Sequence, residues 1–162
     1  MMFVEEMSVG QVLELGDYVF TEAEIIEFAR KYDPHYFHVD AEAAKKGPFG
    51  ALTASGWHTL SAWMNRYCTT LQRLEKEAAE KQEPFARFGP APGLKNMKWL
   101  KPVYVDMTVR FTTTILGKRP SGSRPEWGLV HFLHEGHSLD GELVSRHESH
   151  VFIELKAPAK AG

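Results

Sequence analysis

Two periodicities divide this chain. Through the first half apolar residues recur every three or four positions, and through the second half every two. Val12–Phe20 reads as a short opening strand. Thr21-Glu22-Ala23-Glu24 then forms a capping box, whose Thr hydroxyl and Glu carboxylate can satisfy backbone N–H groups at a helix start. Ile25, Phe28, Ala29 and Tyr32 follow at helical spacing, so residues 22–32 are expected to form an amphipathic helix. Pro34 ends it, because a residue before proline is pushed out of the α region. Asp40 can cap a second, short helix over Ala41–Lys46, which Gly47-Pro48-Phe49-Gly50 breaks. The longest element is a helix from about Ser55 to Lys81. Leu60, Trp63, Met64, Tyr67, Cys68, Leu71, Leu74 and Ala78 mark its apolar stripe, on which Cys68 reads as inert core. Its first half is apolar and aromatic and its second half (QRLEKEAAEKQE) is charged, the pattern of a helix buried at its start and solvated at its end.

After a Pro- and Gly-rich loop over Pro84–Gly93 the period becomes two. Met107, Val109, Phe111, Thr113 and Ile115 alternate with Thr108, Arg110, Thr112 and Thr114, which predicts a half-buried strand rich in β-branched residues. Gly117–Pro125 reads as a turn or loop. Trp127–Ser138 and Glu142–Leu155 are expected to form a hairpin across Asp140-Gly141, a strong turn dipeptide. Helices first and strands afterwards predict a single α+β domain, one long helix against an antiparallel sheet.

Composition narrows the function classes. The chain has 162 residues, with 19 basic against 21 acidic side chains, so no cationic excess supports binding to nucleic acid or an anionic membrane. No 18 apolar residues run together, so no transmembrane helix is expected. The segment MMFVEEMSVGQ lacks the cationic start and apolar run of a secretory signal. A single cysteine, Cys68, allows no internal disulfide, and a cytoplasmic location is expected.

The densest polar cluster is Tyr32-Asp33-Pro34-His35-Tyr36-Phe37-His38-Val39-Asp40, followed by Ala54-Ser55-Gly56-Trp57-His58. A carboxylate and an imidazole in one turn can hold a water and move its protons. Five residues apart, Asp33 and His38 lie about 140° apart on a helix and on opposite faces of a strand. They converge only in irregular backbone, which Pro34 allows. The plainer alternative is that Asp33 caps a turn and His38 bonds the backbone.

Phe28 to Asp40 resembles the hydratase segment of the MaoC-like dehydratases and (R)-specific enoyl-CoA hydratases, in which an Asp and a His five residues apart hold the catalytic water. Phe49-Gly50-Ala51-Leu52-Thr53-Ala54-Ser55-Gly56 is similar to that family's next block, where a small residue and a glycine open the central helix. Trp99-Leu100-Lys101-Pro102-Val103, Lys118-Arg119-Pro120 and Asp140-Gly141-Glu142 also look like the family, so the resemblance runs from about Gly10 to Leu155. The better-known hydratase pattern has Gly before the Asp and Asn-Pro between Asp and His. Here Tyr32 precedes Asp33, proline stands at 34, and His35 takes the place of the Asn.

The resemblance implies a hot-dog domain over residues 1–156, a long central helix wrapped by an antiparallel sheet, with a flexible tail at 157–162. It implies reversible hydration of 2-enoyl thioesters, linked to coenzyme A or a carrier protein, to 3-hydroxyacyl thioesters. Asp33 would be the base toward water and His38 its partner in returning a proton to the α-carbon. The Gly56 backbone N–H would form the oxyanion hole, and His35, Tyr36, Ser55, Trp57 and His58 are pocket candidates. Backbone N–H groups at a helix N-terminus are unsatisfied and sit at the positive end of the dipole, which suits a developing oxyanion. Ser55 lacks the G-x-S-x-G elbow of a nucleophile and reads as an N-cap. No cofactor is expected, coenzyme A being part of the substrate, and no metal, since histidines three apart alternate faces of a strand. Exposed sheet edges, together with the family, predict a homodimer or a higher homo-oligomer built from that dimer. Two other readings stay open: a module or hydratase-complex subunit that binds acyl thioesters without turnover, and an acyl-CoA thioesterase.

Overall fold

Thr21 starts the first helix, α1 (Glu22–Tyr32), by accepting the Glu24 N–H, while its own hydroxyl donates to the Glu24 carboxylate. This computed structural model describes residues Met1–Ala157; the rest of the expected tail, 158–162, lies outside the described residues. The other elements are β1 (Val12–Val19), α2 (Tyr36–Val39), α3 (Ala41–Ala44), α4 (Gly56–Glu80), β2 (Leu94–Trp99), β3 (Thr108–Pro120), β4 (Trp127–Ser138) and β5 (Leu143–Glu154). Asp40 caps α3, its carboxylate accepting the N–H groups of Glu42 and Ala43 at 2.9 Å. Ser55 caps α4. Asp140-Gly141 turns the β4–β5 hairpin, with Gly141 at φ +89°, a left-handed conformation that glycine adopts without a Cβ penalty.

The strands form one antiparallel sheet in the order β1-β3-β4-β5-β2. The first half of α4 lies against its inner face, which is the hot-dog arrangement. Val109 and Phe111 of β3, Val144 of β5, Ala62 and Trp63 of α4, and Phe20 and Ile25 make one apolar cluster. Ile115, Val130, Phe132, Val151 and Ile153 make a second, covered by Phe3, Val4 and Met7 around a 3₁₀ turn at Val4–Glu6. Burying a side chain such as Phe111 or Ile153 contributes about 2–3 kcal/mol.

A polar row crosses the sheet between these clusters, with Thr113 opposite His134 and His134 opposite His147. His134 bonds both neighbours it can reach, Thr113 Oγ1 and Ser149 Oγ, each at 2.8 Å. His147 packs edge-on against Trp63 at 4.2 Å, and its Nε2 has no partner among the described residues. Burial is the main reason both rings resist protonation. The His134 pKa falls to about 2, with the neighbouring histidines adding to the effect, and that of His147 to about 4.

Two expectations are corrected, and two features not read beforehand come with them. Cys68 and Met64 are exposed, because the buried face of α4 carries His58, Thr59, Ala62, Trp63, Tyr67 and Thr70 instead. β2 falls in a segment with no alternation to read, an edge strand whose pairing with β5 shifts register between Lys95 and Lys98. β3 runs on to Pro120 through a register shift at Gly117, where a loop was expected to begin. The histidines that alternate faces within one strand meet their partners across strands, His134 with His147 inside and His131 stacked on His150 at 4.3 Å outside. No helix among the described residues is long and apolar enough to cross a membrane.

Candidate functional site

The end of α1 and the start of α4 meet beside α2. Asp33 is the C-cap of α1, its N–H bonded to the Ala29 carbonyl, and Pro34 turns the chain away from the helix. One turn later His38 is carried inward on α2 and is 7% exposed. The chain then returns through Thr53, which accepts a hydrogen bond from His38 Nδ1 at 2.6 Å. A carbonyl oxygen can only accept, so Nδ1 carries the proton in the neutral ring and the Nε2 lone pair is left free. Nε2 faces Asp33 Oδ2 across 3.7 Å.

Two donors hold the carboxylate. Ser55 Oγ donates to Oδ2 at 2.6 Å while accepting the Trp57 N–H, so one hydroxyl both caps α4 and anchors Asp33. His35 Nδ1 donates to Oδ1 at 2.5 Å from a largely exposed position. Burial alone would raise the Asp33 pKa, but the Ser55 bond, the His35 bond and the nearby imidazoles outweigh it. The carboxyl is held below its ordinary value and is ionised at neutral pH.

Beside this pair opens a cavity of ≈ 290 Å³, bordered by His38, Gly56, Thr59, Phe37, Phe49 and Trp99, with Leu100 to Val103 and Val144 completing the wall. Gly56 is the first residue of α4, and among the described residues its N–H has no acceptor. His38 and Gly56 therefore border the same space, with Asp33 immediately behind His38. The arrangement can hold a small molecule between an imidazole lone pair, a carboxylate and a helix N-terminus.

The pocket candidates fare differently. Ser55 and His35 act on Asp33 rather than on the cavity wall. Tyr36 is half exposed and turns toward Gly47, which leaves its ring outside the cavity. Trp57 is 52% exposed on the outer side of α4 and meets the cavity only through Trp99, which it touches edge-on at 5.4 Å. His58 points to the other side of the helix and stacks on Phe28 of α1 at 4.7 Å. Two residues on from Gly56, its side chain is turned about 200° around the helix axis. The apolar wall went unread: Phe37 and Thr53 stand in the segments that were singled out, but only the return of residues 99–103 across the helix start makes them a wall. In the sequence Trp99 to Val103 stands out only as a family-like segment, with no role read for it.

A family profile described as MaoC like domain matches residues 5–127. The chain is 30% identical over 131 residues to the uncharacterized protein YdeM of Bacillus subtilis, covering 80% of this chain and 82% of that one. Its structure is similar to that of a MaoC-like dehydratase from Rhodospirillum rubrum, with a TM-score of 0.81 and 29% identity over 96% of this chain and 99% of that chain. It shares its fold with the (R)-hydratase PhaJ1 of Pseudomonas aeruginosa, at a TM-score of 0.65 and 18% identity over 98% of this chain and 87% of the other. The profile spans most of the sequence and the relatives point the same way: the chain belongs to the MaoC-like domain family.

Proposed function

We propose that the protein is a hydro-lyase that adds water reversibly to a 2-enoyl thioester, carried on coenzyme A or a carrier protein, as part of fatty-acyl metabolism. The observation that carries this is the 3.7 Å separation of Asp33 Oδ2 and His38 Nε2, two acceptors of which His38 borders a cavity that also reaches Gly56. A water bridging the two from one side donates one O–H to each acceptor and keeps a lone pair for the substrate. Attack on the β-carbon forms the new C–O bond and moves the π electrons toward the thioester oxygen. The Gly56 N–H and the α4 dipole stabilise the charge that develops there.

The proton lost by the water goes to His38 Nε2. An imidazole is intrinsically the stronger base of the two types, and the bonds from Ser55 and His35 weaken Asp33 further. Asp33 then orients the water and stabilises the imidazolium, a division of labour that differs from the one the motif implies. His38 returns the proton to the α-carbon, which collapses the enolate to the 3-hydroxyacyl thioester and restores the site. Membership of the family and the likeness to a MaoC-like dehydratase support the reaction class. We place the working unit as a homodimer, because β1 and β2 leave open sheet edges.

Purified protein is expected to bleach the absorbance of a conjugated 2-enoyl-CoA. Asp33→Asn and His38→Ala should each lower the rate at least about a hundredfold. The double variant should be little worse than either, because both act on one water. Variants as fast as wild type would make the pair structural. The reading of a binding module without turnover draws on His35, whose ring takes up Asp33 Oδ1; a wild type that binds acyl-CoA and hydrates none would establish it.

A further inference from the structure

Trp99 ends the edge strand β2 and lays its indole on the start of α4. A Cβ at position 56 would stand 2.5–2.8 Å from three indole atoms, so the ring sits there only because residue 56 is glycine. Packing alone holds it: the edge of Trp57 lies against it, and among the described residues its Nε1–H has no acceptor. The same ring borders a second hollow of about 10 Å³, room for about one water, whose far walls are Trp63, His134, Ser145 and His147. Thr59 also borders both spaces. Trp99 and Thr59 thus stand between the 290 Å³ cavity and the small hollow beside α4. Ligand sites span roughly 300–1,000 Å³, which puts this cavity at the small end.

Resting on the acyl-thioester reading above, we propose that Trp99 is the specificity-determining side chain of this site: it closes the cavity to all but short acyl groups, and removing it admits longer ones along α4. No proton transfer is assigned to it. It belongs to neither apolar cluster, so substitution opens neither core.

The test compares kcat/KM for 2-enoyl-CoA substrates of four, six, eight and twelve carbons in wild type, Trp99→Phe and Trp99→Ala. Calorimetric binding of the saturated acyl-CoA series is measured in parallel, with circular dichroism as the check on folding. Wild type should favour four carbons. Trp99→Ala should raise the eight-to-four-carbon ratio at least about tenfold, the scale on which a few methylenes are discriminated, and Trp99→Phe should fall between. If all lengths lose rate in proportion, or wild type accepts eight and twelve carbons as readily as four, the proposal is overturned. Should wild type bind the series without hydrating it, a shift of length preference in the binding constants upholds the role of Trp99 while the hydratase reading falls. If it binds no acyl-CoA, both fall. Should Trp99→Ala not fold, Trp99→Phe and Trp99→Leu carry the same comparison.

Discussion

Ser55 uses one hydroxyl twice: it accepts from the first turn of α4 and donates to Asp33. The cap is legible in the sequence, since a serine before a glycine and a run of helix formers is an N-terminal signal. The bond to Asp33 is not, because it closes 22 residues of chain through a turn that no periodicity describes. The same holds for His38, whose spacing from Asp33 is visible while its tautomer is decided by the Thr53 carbonyl. Ser55→Ala should cost about 1 kcal/mol of stability from the lost cap and let the Asp33 pKa rise toward its ordinary value. A carboxyl with a lowered folded pKa contributes stability that is present above its unfolded value and lost as pH falls through the folded one. The Asp33 carboxyl titration, followed by NMR, should therefore move to higher pH in Ser55→Ala and return in Ser55→Thr, which keeps both bonds. An unmoved titration would mean that Ser55 caps the helix and nothing more.

At the scale of elements, alternation told which strands are half buried, and it holds along β3, β4 and β5. It could not tell which inward residues would lie side by side, because that depends on register between strands. Register is what places His134 beside His147 under Trp63. β2 escaped for a different reason: as an edge strand it is exposed on most of its residues, so no burial pattern is written into it. The inner histidines have a measurable consequence. Their folded pKa values lie below that of a free imidazole, about 4 for His147 and about 2 for His134. The unfolded chain therefore binds protons that the folded one refuses, and stability is lost as pH falls from about 6.5 toward those values. Each group contributes a slope of up to about 1.4 kcal/mol per pH unit within its window. Urea midpoints measured from pH 7 down to pH 4.5 should fall steeply in wild type, and His147→Leu should flatten the curve by about one proton. An unchanged slope would place the acid sensitivity elsewhere.

For the molecule as a whole, several segments of sequence pointed to the family, and the architecture follows from a single long helix and a meander of strands. The assembly is less visible in one chain. Trp57 and Met64 are 52% and 45% exposed on one side of α4, Cys68 continues that side, and β2 offers its free edge nearby. Light scattering is expected to give about twice the 18.4 kDa chain mass at micromolar concentration, and Met64→Lys should drive the mass toward that of the monomer. A wild-type monomer would remove the dimer from the proposal. The polar centre and its enclosure also come from different parts of the chain. Asp33, His38, Ser55 and Gly56 lie within residues 33–56, whereas Trp99 to Val103 and Val144 supply the opposing wall. Reaction and appetite are thereby heritable apart: a lineage that varies the ribbon around Trp99 can change what it accepts while passing on, untouched, the stretch that would handle the protons.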